Sequence, residues 1–526
     1  MIMEYKKPRR IFEDSGVVNP EDAYHVLLDN VANTKGQDIK TMVDMGRYFS
    51  IFAPRQSGKT TFFEDFCSRL KEDQTYIPIL LSFQDYKNLD PSRFYQSIQK
   101  DLHDQLINRL GDVQCTVQDE VSKYFATHVL RDHIDFRELF EELNRIVIDK
   151  KIIIFIDEFD GIPIDELENF LTTLRELYQR YKKQKDKALY SVSLVGIRNI
   201  TKLILGGVSP FNIADQVKLP PFSLKNIRDL YGQYTKETNQ PFTDEAVKHI
   251  YEETAGQPWL VNRLGTILTV DIKPDTTESI IEEDVDNAIR NLLKERNSHF
   301  DNLLEKAKLN KETFIEIVFN GVEYNPDDEE QSWLEQYGLV KEKDGLAIVA
   351  NPMYKKRFLK AFFYEVADKM DISSKRYYLT DGNLNMENIL GDFEKYIAQI
   401  GAVAFYSTNK PMEVTGKFQL TAWLYQFVPA GVGSLYHESK TGLGAMDILL
   451  HYRQKKYIIE TKINRYPGTI DDAIEQLTEK YLLPERVDHG YVVIFDPKTK
   501  VGELCTPRIH RVKDKEILSF NIGIGK

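Results

Sequence analysis

The stretch that most constrains this 526-residue chain runs from Asp44 to Leu70. An apolar segment, DMGRYFSIFAP, leads into the polar run RQSGK. TTFFEDFCSRL follows, with Phe62, Phe63, Phe66 and Leu70 at helical spacing. The order is strand, loop, helix. Ala53 to Thr60 (APRQSGKT) follows the pattern G-x-x-x-x-G-K-[ST] except at its first position, where alanine stands for glycine. Gly58 still permits the tight turn, consecutive backbone N–H groups at a helix start face phosphates, and Lys59 adds a positive charge. Pro54, Arg55, Gln56, Ser57, Gly58, Lys59, Thr60 and Thr61 are therefore expected around a bound nucleotide, with the Thr60 hydroxyl on Mg2+.

Three more apolar runs, Ile77 to Phe83, Ile152 to Ile156 and Ser191 to Gly196, are short and β-branched, as strands covered on both faces are. Helical stretches such as Pro91 to Leu110 and Asp165 to Tyr181 separate them, so the alternation predicts a parallel sheet with helices on both sides. IIIFIDEFDGI places Asp157 and Glu158 at the end of a buried strand, where one acid can anchor a metal and the other orient water. Arg198 and Asn199 follow the strand SVSLVG, at the sheet edge where a phosphate sensor would sit; an ordinary turn is the alternative. Arg55 and Arg198 are the arginine candidates.

Composition sets the wider frame. Apolar residues make up 42% and charged residues 29%, ordinary for a folded chain, and no apolar run approaches the ~20 residues that cross a bilayer. The basic start MIMEYKKPRRIFEDSG lacks the apolar run of a secretory signal. Cys67, Cys115 and Cys505 are isolated, against a disulfide framework and in favour of a reducing, cytoplasmic location. With 69 basic and 81 acidic residues the net charge is −12, so nucleic acid is held only where basic residues gather locally.

The pattern divides the chain into segments: an α/β core over 1–219, a helical lid over 220–307, a winged-helix-like segment over 308–370, a polar linker over 371–385, and a last domain over 386–526. Ser223 and Thr243 read as N-caps in the lid. Lys343-Asp344-Gly345 reads as the turn of the wing. Asp327, Asp328, Glu329 and Glu330 favour packing over DNA contact for that module. The last domain reads as a helix from Met386 to Gly401, strands within Val414 to Pro429 and Ala445 to Thr461, a helix from Asp471 to Leu482, and a strand from Gly490 to Phe495.

Taken together, the loop Ala53–Thr60, the pair Asp157-Glu158, Gly196 to Ile200 (GIRNI) and Gly256 to Asn262 (GQPWLVN) resemble the AAA-like ATPases of bacteria and archaea, near the STAND and archaeal ATPase groups. The resemblance covers about residues 20–365 and implies ATP as ligand and Glu158 in hydrolysis. It also implies that Gly256, Gln257 and Pro258 of the lid approach the nucleotide, with Arg263 near; a simple turn with Trp259 in the lid core is the alternative.

GAMDILLHYRQKKYIIETKIN carries the second constellation. It reads as a hairpin with Asp447 on one strand and Glu460 and Lys462 on one face of the next. Two carboxylates suffice for Mg2+, and a lysine can position or deprotonate water. With its flanking helices the segment 385–500 resembles the PD-(D/E)XK nuclease fold. That resemblance adds Glu394 on the preceding helix as a further metal-binding acid. It also adds a Gln and a Tyr on the following helix, for which Gln476 and Tyr481 stand five apart. Thr441 to Ala445 lacks the basic residues that relatives carry, for which Lys440, Lys455, Lys456 and Arg465 are substitutes; His437 and Glu438 read as turn residues.

The expectation is an α/β chain: a P-loop parallel-sheet ATPase core with helical lid and winged helix, joined to a PD-(D/E)XK domain with a mixed sheet. ATP controls a Mg2+-dependent cut in nucleic acid, DNA rather than RNA, in defence or mobile-element control. A homo-oligomer is compatible with this, and a ring-forming remodelling motor stays open. The competing class is a non-catalytic ATP-dependent switch whose nuclease-like domain binds nucleic acid or a partner without cutting.

Overall fold

The computed structural model describes the chain except residues 1–3, 29–30, 115, 185–188, 197–212, 321, 368–374, 401–404, 408–409, 412, 429–432, 442–443, 504–505 and 526. Side chains are further outside the description at 184, 319–320, 363–367, 399–400, 406–407, 410–411, 437–441 and 444–445. The chain divides into two compact units. The first comprises residues 1–306, 332–340 and 350–353; the second comprises 307–331, 341–349 and 354–526.

The first unit is built on β1 (Phe49–Phe52), β2 (Tyr76–Ser82), β3 (Lys151–Asp157), β4 (Leu189–Gly196) and β5 (Asp215–Lys218). They form one sheet in the order β2-β3-β4-β1-β5, and every pairing is parallel. The run IIIFI explains the two-sided cover. Ile152, Ile154 and Ile156 enter the core under the helices Pro91–Asp112, His133–Ile146 and Leu167–Gln184, whereas Ile153 and Phe155 enter the core under α1 (Lys59–Leu70). Alternation across a pleat sends successive side chains to opposite faces, so both must be apolar. On α1 the four residues at helical spacing, Phe62, Phe63, Phe66 and Leu70, are all buried.

The helical segment begins at Ser223, which caps α2 (Leu224–Thr238) in a capping box with Asn226. Thr243 caps α3 (Asp244–Thr254), and Gln257 caps α4 (Pro258–Thr266), which has Pro258 in its first turn.

In the second unit a three-stranded sheet, order β6-β8-β7, joins β6 (Val322–Glu323), β7 (Val340–Lys343) and β8 (Leu346–Val349). The β7–β8 turn is Asp344-Gly345 with φ of 54° and 78°, the left-handed pair that a tight hairpin needs. The larger sheet has six strands: β9 (Gly433–Thr441), β10 (Gly444–Tyr452), β11 (Lys455–Ile463), β12 (His489–Lys500), β13 (Arg508–Val512) and β14 (Lys515–Gly525). Their order is β9-β10-β11-β12-β14-β13. The sheet is mixed, antiparallel from β9 to β11 and at β13–β14, and parallel where β12 meets β11 and β14.

One face packs on α7 (Thr469–Gln476) and the turns after it, through Ile458, Val492, Ile494, Ile474, Leu477 and Leu482. α5 (Met386–Ile400) and α6 (Glu413–Tyr425) meet the opposite face through the Phe393–Phe495 ring pair and through Gly416, where a Cβ would come within 2.4 Å of the Phe495 ring.

Two expectations are corrected here. Residues 413–425 form a helix, not strands: Val414, Phe418, Leu420, Ala422, Trp423 and Leu424 are buried all around it, so no helical stripe shows in the sequence. The expected linker also packs from Lys375 onward. Tyr377 and Leu384 are buried and Tyr377 donates to Asp392 at 2.8 Å, tying 375–385 to the last domain.

Candidate nucleotide site and a second acidic centre

The carboxyl ends of β1, β3 and β4 lie at one edge of the sheet because all three run parallel, and such an edge is where open α/β sheets take ligands. There the loop after β1 wraps the start of α1. Gln56 (φ 56°) and Gly58 (φ 82°) carry its left-handed turns, while Ala53 does not adopt a positive φ, so alanine costs nothing at that pattern position. Ser57 Oγ donates to the Pro54 carbonyl at 2.8 Å. Lys59 is 5% exposed, and its Nζ donates to the carbonyls of Ala53 and Pro54 at 2.9 and 2.8 Å. Burial pulls the Lys59 pKa down, opposed by Glu158, Asp157 and Asp160 nearby.

Asp157 ends β3 with both oxygens engaged: Oδ2 accepts from Thr60 Oγ1 at 2.6 Å and Oδ1 from the Glu158 N–H at 2.8 Å. Glu158 turns left-handed (φ 49°), out of the strand direction and into the cavity. That cavity, about 510 Å3, is lined by Arg55, Gln56, Gly58, Lys59, Thr60, Thr61 and Glu158, by Pro258, Trp259 and Asn262 of α4, and by Glu13 to Val18. A neighbouring cavity of about 260 Å3 shares Arg55 and Glu158 and is closed by Lys87, Asp160, Lys306 and Tyr337. Arg198 lies outside the described residues.

The GQPW turn is fastened to the loop. Gly256 (φ 74°) passes so close to Phe222 that a Cβ would lie 1.9 Å from its carbonyl oxygen. Gln257 caps α4 through the Leu260 N–H at 2.6 Å and also donates to the Gln56 carbonyl at 3.1 Å. His299 hydrogen-bonds the Gln56 side chain and stacks on Trp259 with centroids 4.2 Å apart; burial pushes its pKa down to about 3. Arg263 is held by Glu295 at 2.7 Å and Asp14 at 3.2 Å. Sequence reading missed Glu13–Val18, His299, Lys306 and Tyr337, which no local pattern connects to the loop.

In the second unit the β10–β11 ladder ends at Ile448–Ile459, one step short of Asp447 and Glu460. Beyond that step the Thr461 N–H and Oγ1 donate to Asp447 Oδ2 at 2.8 and 3.0 Å. Lys462 Nζ lies 2.6 Å from Glu460 Oε1. Glu460 is 1% exposed, and burial first, then the charge of Asp447, push its pKa up to about 7. Lys462 is raised: burial lowers it, but Glu460 and Asp447 together outweigh that. Glu460 Oε2 has no hydrogen-bond partner among the described residues.

The sequence did not reveal Lys417. It is buried on α6, and its Nζ sits 2.9 Å from Asp447 Oδ1. Its segment read as strand, so nothing connected it to the acids. Gln476 and Tyr481 do meet, Nε2 to OH at 3.3 Å, because Leu477–Leu482 is a π-helix whose i→i+5 repeat brings residues five apart onto one face.

Glu394 is buried on α5, and among the described residues no three His, Cys, Asp or Glu side chains gather closely enough to hold a metal. Lys455 and Lys456 pair with Asp381 and Glu485 at 3.5 and 2.8 Å, and Arg465 is exposed beyond β11. The side chain of Lys440 lies outside the described residues.

The chain is similar to several solved structures. With a Walker-type ATPase of Pyrococcus abyssi it shares 14% identity at a TM-score of 0.40, over 59% of this chain and 90% of that one. With the RuvB Holliday junction branch migration motor of Thermotoga maritima the values are 14%, 0.31, 60% and 90%. With the Orc1 protein of Aeropyrum pernix, solved in complex with DNA, they are 13%, 0.32, 64% and 95%. No curated protein sequence matches. Residues 26–360, the span that holds the phosphate loop, Asp157-Glu158 and the helices α2 to α4, match the AAA-like domain family, and the chain belongs to that family.

Proposed function

We propose that this chain binds and hydrolyses ATP in its first unit and thereby controls a phosphodiester-cleaving site in its second, a domain of the PD-(D/E)XK kind. The observation that carries the first half is the Thr60 Oγ1–Asp157 Oδ2 contact of 2.6 Å with Glu158 turned into the same cavity. A hydroxyl and a carboxylate side by side fit Mg2+, with phosphate oxygens and water completing its shell. The loop amides and Lys59 hold the phosphates, and Glu158 orients the attacking water. Lys306 and Arg55 line the cavity next to Glu158 and offer positive charge to the terminal phosphate.

The second half rests on Asp447, Glu460 and Lys462 converging at the end of one ladder. The buried Glu460 Oε2, without a hydrogen-bond partner among the described residues, and the oxygen donors of the two acids fit a hard divalent cation held by Asp447 and Glu460. When bound, that cation supplies Lewis-acid charge to the scissile phosphate. Lys462, 2.6 Å from Glu460, is placed to position or deprotonate the attacking water. Gln476 and Tyr481 form a hydrogen-bonded pair whose hydroxyl feels the charges of Glu460 and Asp447. DNA is the proposed substrate, a winged-helix reading of the β6–β8 sheet with its flanking helices is the proposed link, and a homo-oligomer is compatible with it.

The test incubates the full chain with DNA or RNA, Mg2+ and ATP, beside Lys59→Ala and Asp447→Ala. Cleavage lost in Asp447→Ala, with ATP hydrolysis kept, is the expected result. ATP hydrolysis without cleavage of either nucleic acid would instead point to a non-catalytic switch.

A further inference from the structure

We infer that Lys417 is a fourth member of the phosphodiester site, a positioning residue that holds Asp447 and competes with a divalent cation for its Oδ1; this rests on the metal-site reading above. Lys417 is 5% exposed, on a helix that is buried all around. A buried lysine is costly unless paired. Its pairing with Asp447 Oδ1 at 2.9 Å occupies an atom that a cation needs.

The four carboxylate oxygens are unequal. Asp447 Oδ2 is held by the N–H and hydroxyl of Thr461, and Glu460 Oε1 by Lys462. Only Glu460 Oε2 lacks a hydrogen-bond partner among the described residues. A cation entering at Oε2 must share Asp447 with one of its donors. The Thr461 N–H is fixed in a strand, whereas Lys417 reaches Asp447 on a flexible four-carbon stem. Lys417 is therefore the donor that yields.

Charge points the same way: the ammonium groups of Lys417 and Lys462 already offset much of the charge of Asp447, Glu460 and the nearby Glu413, so a dication loads more readily once a phosphodiester adds negative charge and offers Lys417 another acceptor. Lys417 thus makes metal loading conditional on the nucleic-acid backbone.

The test is Mn2+ binding to the nucleotide-free full chain, followed by electron paramagnetic resonance, counting as this site's the binding that Asp447→Asn removes. Lys417→Met should bind Mn2+ about tenfold more tightly than wild type, the scale of one competing charge at a partly buried site, and Lys417→Arg should restore the wild-type affinity. Unchanged or weaker binding in a Lys417→Met chain that unfolds at the wild-type temperature overturns the inference. Absence of such binding in both wild type and Lys417→Met overturns the metal-site reading itself. Should Lys417→Met fail to fold, acetylation of wild-type lysines read by mass spectrometry replaces it: Lys417 should become more reactive with Mn2+, and unchanged reactivity with Mn2+ bound overturns the competition.

Discussion

At position 256 one missing methyl group lets the turn before α4 lie against Phe222. A side chain there would meet the carbonyl at 1.9 Å and would hold a φ of 74°. Gly256→Ala should therefore lower stability by about 3 kcal/mol, combining left-handed strain with overpacking, and weaken nucleotide binding; thermal unfolding and ADP titration measure both.

His299 sets a pH response. Its folded pKa of about 3 lies below the ordinary 6.5, so the unfolded chain binds more protons between those values and stability falls as pH drops below 6.5. At pH 5 the cost is roughly 2 kcal/mol. His299→Phe, which can keep the stack on Trp259, should show a smaller loss of unfolding temperature between pH 7 and pH 5 than wild type. An equal loss would assign the response elsewhere.

The elements were legible where local pattern and burial agree. β3 reads as a two-sided strand and is one, with Phe155 fully buried among Phe49, Phe63 and Phe66. Phe155→Ala should cost about 3–5 kcal/mol by calorimetry, as a large aromatic leaves a cavity under α1. Pattern failed on α6, where apolar residues all around erase the helical stripe. It failed again after Gln476, because a π-helix has a repeat that α-helical spacing does not anticipate. Tyr481→Phe removes the hydroxyl that accepts from Gln476. It should slow the proposed cleavage up to about tenfold, the worth of one hydrogen bond, while leaving the unfolding temperature near wild type.

Across the whole molecule, two compact units with separate cores imply two unfolding transitions. ADP at 100 times its Kd should raise the first unit's transition by about 2.7 kcal/mol in stability and leave the other in place; calorimetry with Lys59→Ala as control checks this. What the sequence alone determined was local: the loop and its helix, the buried strand ending in Asp157-Glu158, the caps at Ser223 and Thr243, and the Glu460-x-Lys462 face, all set by spacing within one element. Only the tertiary structure decided which distant segments complete each site: Glu13–Val18 and His299 around the phosphate loop, Lys417 beside Asp447, Gln476 against Tyr481. Those partners are chosen by packing across elements, and packing leaves no periodic mark on the chain that supplies them.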